Sequence, residues 1–507
     1  MPDDMRVETL HEKPPQDHGP RIAILGAGFS GMGMAIRLRQ EGFENFTIYE
    51  KAGEVGGTWR ENRYPGVACD VPSHLYSFSF EPNPNWSRRF SPGDEIFAYM
   101  KHCAVKYDLY RSIAFNKTVK AIRHNGAHWN ITFADGAIAE ADFVVSGLGG
   151  LHEPNIPDFD GAEAFDGALF HTAQWRDDVD LKDKRVAIIG SAASAVQVIP
   201  EIVGKVKHLD LYQRTPNWVM PRQSYRYPDW VKSLFAKTPW LARAYRGFYF
   251  SFMEWRFASF KKDDNGVKRF VRRTFEKHLA NQVKDPALRA KLTPDYPVGC
   301  KRILISDDYF AAIQRHNVDL VTDRIACFSQ NGVLTADGKE RAADVIILAT
   351  GFKPFDILES IDVTGPSGQT LRDHWKDGVA AHRTIMAPGF PNFFLLLGPN
   401  SGLGHNSVIL MIEAQVNYIV QLLQRARAAG AGAHIEPRPE AAAAFDRSIQ
   451  ADLQERVWAS GCGAWYVDEN GRNYTLYPHA VRRFLREMKT PDLKEYSVEA
   501  PVPAPPG

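Results

Sequence analysis

The chain has 507 residues, 44% hydrophobic and 24% charged, with 61 Lys and Arg against 60 Asp and Glu. That length supplies roughly three domains, each with its own core, and the ordinary composition excludes disordered and fibrous classes. A net charge of +1 creates no global field for steering nucleic acid or acidic membranes, so no nucleic-acid partner is expected.

Residues 1–20 are charged and Pro-containing, lack the apolar core of a signal peptide, and are expected to be a disordered leader. An apolar strand, Arg21 to Leu25, then runs into Gly26, Gly28 and Gly31, and a helix pattern leads to a second strand closing at Glu50. Asp142 to Gly149 is an apolar run ending in glycines, read as a buried parallel strand. Glu153-Pro-Asn-Ile-Pro157 marks a linker. A second unit opens with Arg185 to Ile189, passes through Gly190-Ser191-Ala-Ala-Ser194-Ala195, and carries its second strand, Leu209 to Tyr212, toward Arg214. Its buried strand is Asp344 to Gly351. Between them, from about Tyr225 to Pro294, lies a stretch rich in aromatics and in Lys and Arg, with helical spacing of Trp230, Leu234, Phe235, Trp240, Tyr245, Phe248 and Phe252. It predicts a helical subdomain whose aromatics form a core and cover the site; a membrane-contacting face is the rival reading. Phe393 to Leu397, the Gly398 to Asn406 turn and a long helix from Ser407 are assigned back to the first unit. A helix starting there directs a positive dipole end at an anion, or is simply capped. The closing Pro-rich stretch is expected to be a frayed tail.

The two units form an internal repeat. Gly31 to Glu50 and Ala195 to Arg214 are both 19 residues apart. In such a unit the first glycine permits the tight turn and the second lets the backbone approach a pyrophosphate. The third lets helix and strand pack closely, and the helix N-terminal amides hold the phosphates. An acidic Glu50 suits a ribose hydroxyl, as in FAD or NAD, whereas a cationic Arg214 suits the 2′-phosphate of NADP. The implied pair is FAD first and NADPH second. Ala192 replaces the second glycine of the second unit, placing a methyl where the pyrophosphate comes closest, so NADPH is expected to be slightly displaced.

The five cysteines, Cys69, Cys103, Cys300, Cys327 and Cys462, are scattered and odd in number. That argues against a secreted disulfide framework and fits a reducing, cytoplasmic setting. No run of 18 apolar residues is present, so no transmembrane segment is expected.

Phe165-Asp-Gly167-Ala-Leu-Phe-His171-Thr-Ala-Gln-Trp175 fits the pattern FxGxxxHxxxW, and Gly57-Thr58-Trp59 through Tyr64-Pro65-Gly66 to Asp70 fits a second long pattern. With the doubled nucleotide unit, the chain from Arg21 to Met488 resembles the type I Baeyer-Villiger monooxygenases, class B flavoprotein monooxygenases; Arg176 departs from the usual Pro or Asp. The resemblance implies an α/β fold of two Rossmann-like dinucleotide-binding domains, for FAD and NADPH, with a helical insertion in the NADPH domain. The expected division is an FAD domain at 21–152 and 384–490, an NADPH domain at 153–222 and 300–383, the insertion at 223–299 and a tail at 491–507. Gly26, Gly28, Gly31, Glu50, Thr58, Trp59, Asp70, Tyr76 and the Val119 backbone would contact FAD. Gly190, Ser191, Ser194, Arg214, Thr215 and Lys301 would hold NADPH. His171 is similar to a family residue of the interdomain linker that supports domain motion.

The implied activity inserts one oxygen atom of O2 beside a ketone carbonyl, giving an ester or lactone through a C4a-peroxyflavin. Every step after flavin reduction carries negative charge on oxygen. Arg302, permanently protonated, is the fitting stabiliser, and Asp70 would fix its fork. No metal is expected. The alternatives are a flavin monooxygenase acting on amines or sulfides and, outside enzymes, a non-catalytic redox-sensing flavoprotein. A disulfide reductase would need two neighbouring cysteines, and Cys69 has none. The identity of the ketone and the oligomeric state are not legible.

Overall fold

The computed structural model describes residues 19–499 apart from 152, 354–359, 463–465 and 468–469. The expected leader therefore falls, up to residue 18, outside the described residues, as does the Pro-rich end from 500 onward.

Continuous apolar runs bounded by glycine form strands covered on both faces, and here they build two all-parallel sheets. The first has the order Ile113–Ala114, Phe46–Tyr49, Ile22–Leu25, Phe143–Ser146, Phe393–Leu395. The second has the order Val318–Val321, His208–Tyr212, Arg185–Ile189, Val345–Leu348, Ala168–His171. Counted from the strand that opens each unit, Ile22–Leu25 or Arg185–Ile189, the first strand lies between the second and the fourth, and Ala168–His171, earlier in the chain, takes the edge position that Phe393–Leu395 holds in the first sheet. Each unit also places an antiparallel set between its third and fourth parallel strands: Val119–His124, Trp129–Phe133 and Ile138–Ala141 in one, Ile325–Ser329, Gly332–Thr335 and Glu340–Ala342 in the other. This is an α/β fold of two Rossmann-like units.

The repeat extends to an ion pair. The backbone N–H of Arg21 donates to Asp142 Oδ2 at 2.8 Å and its Nη2 to Oδ1 at 2.8 Å. Arg185 does the same to Asp344, at 2.8 and 2.6 Å. Each clasp joins the starts of the first and fourth parallel strands, and the bidentate geometry fixes their register.

The insertion is helical, comprising Asp229–Lys237, Pro239–Arg256, Gly266–Gln282 and Pro286–Leu292. Pro239–Arg256 buries Ala242, Tyr249 and Met253, the last two in the core of the first unit. Gly266–Gln282 buries Val271, Phe275 and Leu279, a four-residue period, in the core of the second. The insertion thus ties the two cores together. The expectation that its aromatics form a core of its own holds only in part. Phe235 is buried, but Trp230, Leu234, Trp240 and Phe248 are exposed, because the helices are amphipathic and carry large side chains on both faces.

Two further expectations are revised. The tail starts later than 491: Tyr496–Glu499 pairs antiparallel with His434–Pro437, and buried Tyr496 donates to Tyr418 Oη at 3.1 Å. Cys300 and Cys462, 162 residues apart, are joined in a disulfide, leaving Cys69, Cys103 and Cys327 as free thiols. Their distance along the chain hid the pairing. No helix among the described residues is long and apolar enough to cross a membrane.

Candidate active site

The turn after the first strand is shaped for close approach. Gly26 sits at φ +89°, and a Cβ there would come 3.1 Å from Gly147 O. A Cβ on Gly31 would lie 1.9 Å from Gly26 O, so only hydrogen fits where helix Phe29–Gln40 leaves the strand. Gly28 is the N-cap of that helix and has no side chain to cap its free amides. Beside it, Gly57 opens the short helix Thr58–Glu61. The Glu50 carboxylate is buried, accepting from Ala27 N at 2.8 Å and Ala52 N at 3.0 Å, with Arg60 Nη1 at 3.2 Å.

These groups line a cavity of about 480 Å³. Of the residues expected to hold FAD, Gly26, Gly28, Glu50, Thr58, Trp59, Tyr76 and Val119 all face it, and so does Arg302. Gly31 and Asp70 do not; Gly31 packs helix on strand, and Asp70 reaches the cavity through Arg302. The cavity is also lined by the glycine-rich turn Ser401 to Gly404 before helix Val408–Ala429 and by Phe260, from the segment joining helices Pro239–Arg256 and Gly266–Gln282 of the insertion. Glu254 positions that turn, accepting from His405 at 3.2 Å and Asn406 Nδ2 at 2.9 Å and from the backbone N–H of Val481 and Arg482. Trp59 Nε1 donates to Tyr76 Oη at 3.2 Å, with the rings edge to face. The donor set suits FAD: a glycine cradle without Cβ atoms, helix amides, a buried carboxylate and an aromatic wall.

Arg302 Nη2 lies 2.8 Å from Asp70 Oδ1 and 2.7 Å from Oδ2. The Arg302 side chain is 44% exposed, and that surface faces the cavity. Asp70 raises the pKa of the guanidinium, and burial only partly opposes it. The loop holding Arg302 is braced from behind. Cys300 is tied to Cys462, its carbonyl accepts from the Tyr466 hydroxyl, and Trp458 Nε1 donates to Gly299 O at 3.1 Å. Sequence reasoning missed this brace, along with Arg60, Gly147 and Phe260 as cavity residues. The signal for Gly147 was present in the glycines ending the fourth strand.

The second nucleotide turn repeats the first with one change. Gly190 has φ +106°, and a Cβ there would lie 2.5 Å from Ala349 O. Ala192 caps helix Ala193–Ile202 at φ −87°, ψ −156°, nearly the conformation of Gly28 at φ −83°, ψ −170°. A methyl is unstrained there. Ser191 Oγ donates to Thr215 O at 3.2 Å, and Asn217 Nδ2 donates to Ser191 O at 3.0 Å, tying the turn to the Arg214-Thr215 segment. Lys301 Nζ sits 4.8 Å from the centre of the Tyr296 ring, its pKa lowered by burial and then by Arg214. Arg214 has no carboxylate partner in an ion pair among the described residues. Two neighbouring cations with surplus charge suit a phosphate. None of Gly190, Ser191, Ser194, Arg214, Thr215 and Lys301 lines the 480 Å³ cavity. A second cleft, about 1060 Å³, runs between the units past Arg60, Arg63, Arg222 and Glu201, and these residues do not line it either.

The two long sequence patterns have physical causes. Gly66 has φ +81°, and its Cβ would lie 2.5 Å from Gln197 O in the second nucleotide helix, while Tyr64 Oη donates to Gln197 Oε1 at 3.0 Å. The Tyr-Pro-Gly segment is therefore a contact between the units, and burial pushes the Tyr64 phenol up to about 12. In the other pattern, a Cβ on Gly167 would lie 2.4 Å from Asp344 O. His171 ends the edge strand Ala168–His171 of the second sheet rather than standing in a free linker. It is buried, accepts from Ala173 N at 3.0 Å, and burial lowers its pKa to about 4. Elsewhere, His208, Asp210 and Asp319 gather their ligand atoms within 4.8 Å, but Arg341 Nη1 already donates to Asp210 at 2.8 Å and Asp319 at 3.2 Å.

The model of a family described as flavin-binding monooxygenase-like matches residues 19–363. A Baeyer-Villiger monooxygenase of Streptomyces coelicolor is 43% identical over 487 residues, covering 96% of this chain and 93% of that protein. Among solved structures, OTEMO in complex with FAD and NADP superposes with a TM-score of 0.84 at 26% identity, over 95% of this chain and 99% of that one. An oxidised steroid monooxygenase bound to NADP gives 0.83 at 28% identity, over 95% and 100%.

Proposed function

From a chain that belongs to the flavin-binding monooxygenase-like family, among its Baeyer-Villiger monooxygenases, we infer an FAD- and NADPH-dependent enzyme that inserts one oxygen atom of O2 beside a ketone carbonyl. The balance is NADPH, a proton, O2 and ketone in; NADP⁺, water and ester or lactone out. The observation that carries this reading is the Arg302 guanidinium, fixed by Asp70 at 2.8 Å and facing the glycine-cradled cavity.

Bound FAD, reduced by NADPH, supplies the two electrons that activate oxygen. The remaining work belongs to the chain. The free amides at Gly28 and the Gly26 turn hold the pyrophosphate, and Glu50, already fixed by Ala27 N and Ala52 N, accepts from the ribose. Trp59, Tyr76 and Phe260 keep water from the reacting oxygen. Arg302 places a permanent cation where negative charge gathers on oxygen as the ketone becomes tetrahedral, and Asp70 keeps its fork aimed. Arg214 and Lys301 take the 2′-phosphate of NADPH, and Ser191, Ser194 and Thr215 the neighbouring groups. His171, neutral and buried, positions the second sheet and carries no proton in the reaction.

The test is NADPH-dependent oxygen uptake against a panel of ketones and sulfides, with product analysis by mass. Arg302→Ala is expected to keep FAD and its reduction by NADPH while ester formation falls by about 100- to 1,000-fold. Normal ester yield from that variant removes Arg302 from the reaction. Oxygenated sulfide with no ester from any ketone rejects the assignment to ketones.

A further inference from the structure

We propose that the outer face of the insertion docks on the surface of a bilayer containing anionic phospholipid. Along helix Pro239–Arg256 the exposed positions are Pro239, Trp240, Arg243, Ala244, Gly247, Phe248, Ser251 and Trp255, the three-and-four spacing of one helix face. Trp240 is 68% exposed and Phe248 63%, and Trp230 on the preceding helix is also 68% exposed. Single exposed apolar residues are unremarkable, but Trp240, Phe248 and Trp255, spaced by eight and seven positions on one face of one helix, make a built stripe. The stripe continues onto a second helix: the Trp255 and Phe270 rings are 5.6 Å apart, and Phe270 is 50% exposed.

The charge around this stripe selects the partner. Residues 223–299 hold sixteen Lys and Arg against seven Asp and Glu, in a chain otherwise weighted toward acid. Arg243 lies on the stripe, and Arg273 follows Phe270 by one helical turn. Neither has a carboxylate partner among the described residues, whereas Arg269 and Arg272 lean on Asp264. Exposed tryptophans rimmed by unpaired cations are the chemistry of a helix lying in a headgroup layer, with aromatic rings at the interface and guanidiniums on lipid phosphate. A symmetric second copy fits poorly, since it would bring the same cations face to face. With no described helix long and apolar enough to span, the contact is peripheral.

The test is co-sedimentation of the FAD-loaded full-length protein with vesicles of phosphatidylglycerol and phosphatidylcholine in equal parts, against phosphatidylcholine alone. Binding to the anionic vesicles is expected to be at least about tenfold tighter and to weaken with salt. The double substitution Trp240→Ser with Phe248→Ser, and separately Arg243→Gln with Arg273→Gln, should each reduce it by about tenfold or more. NADPH oxidation without vesicles should stay unchanged, which verifies the fold. Absence of vesicle binding, equal binding to both compositions, or binding indifferent to these substitutions overturns the proposal. So does a dimer in solution that the Trp240 and Phe248 substitutions dissolve.

Discussion

Replacing Asp70 with Asn removes a charge beside Arg302 while keeping nearly the same volume, and its effects on stability and on turnover should separate. The pair sits at 2.8 and 2.7 Å, but the two side chains are 44% and 29% exposed to the cavity. Water in that cavity screens the charges, so the pair contributes less than about 1 kcal/mol to folding. The melting temperature should fall by less than about 2 °C in the absence of ligands. During turnover the same space is filled by cofactor and ketone and water is displaced, so the contact acts as a charge-assisted hydrogen bond of about 1.5–3 kcal/mol. At about 1.4 kcal/mol per tenfold, kcat for ester formation should drop by about 10- to 100-fold. The assay pairs a thermal melt with steady-state ester yield per NADPH consumed. An Asp70→Asn enzyme with kcat within about twofold of the parent would refute the idea that the carboxylate aims Arg302.

Gly66→Ala places a methyl at φ +81° and 2.5 Å from Gln197 O, so it should lower stability by about 1–3 kcal/mol, read by denaturant titration. Arg214→Gln and Lys301→Gln should each raise KM for NADPH by about 10- to 100-fold and leave NADH, which lacks the 2′-phosphate, nearly unchanged; equal losses for both nucleotides would count against the phosphate role. Thiol titration of the denatured protein should find three groups per chain, rising to five after reduction, and Cys462→Ser should cost about 2–4 kcal/mol of stability. Burial holds the His171 pKa to about 4 in the fold against 6.5 when exposed, so the unfolded chain binds the extra proton between those values. Stability should therefore be complete above about pH 6.5 and lost as pH falls toward 4, on the order of 3 kcal/mol from this residue. A His171→Gln variant should make that acid limb shallower by about a quarter in melts taken from pH 7 to 4, because burial holds His74, His124 and His382 at about 4 as well.

Local signals carried most of the architecture. Apolar runs ending in glycine placed Ile22–Leu25, Phe143–Ser146, Arg185–Ile189 and Val345–Leu348, because strands covered on both faces need no alternation. The turn glycines were equally legible, since Gly26, Gly31 and Gly190 are positions where a Cβ meets backbone. What escaped depends on contacts between distant parts of the chain. The Cys300–Cys462 bond spans 162 residues, and the odd cysteine count disguised it. The Arg21–Asp142 and Arg185–Asp344 clasps were visible only as strand-opening charges until the sheets placed them side by side. Ala192 was legible as a methyl at the nucleotide turn, but residue type alone does not reveal that the backbone there, at φ −87°, carries one without strain. The basic character of the insertion was legible in its Lys and Arg, but helical spacing could not tell which aromatics faced outward.

The edge strand Phe393–Leu395 has a consequence for biosynthesis. It completes the first sheet beside Phe143–Ser146, whereas the second sheet draws on one unbroken stretch from Ala168 to Leu348. As the chain leaves the ribosome at about 5–20 residues per second, the unit made first must wait about 10–50 s for its last strand. The later-made unit closes before the earlier one, so an incomplete sheet edge has to survive on the nascent polypeptide until the third part of the message is read.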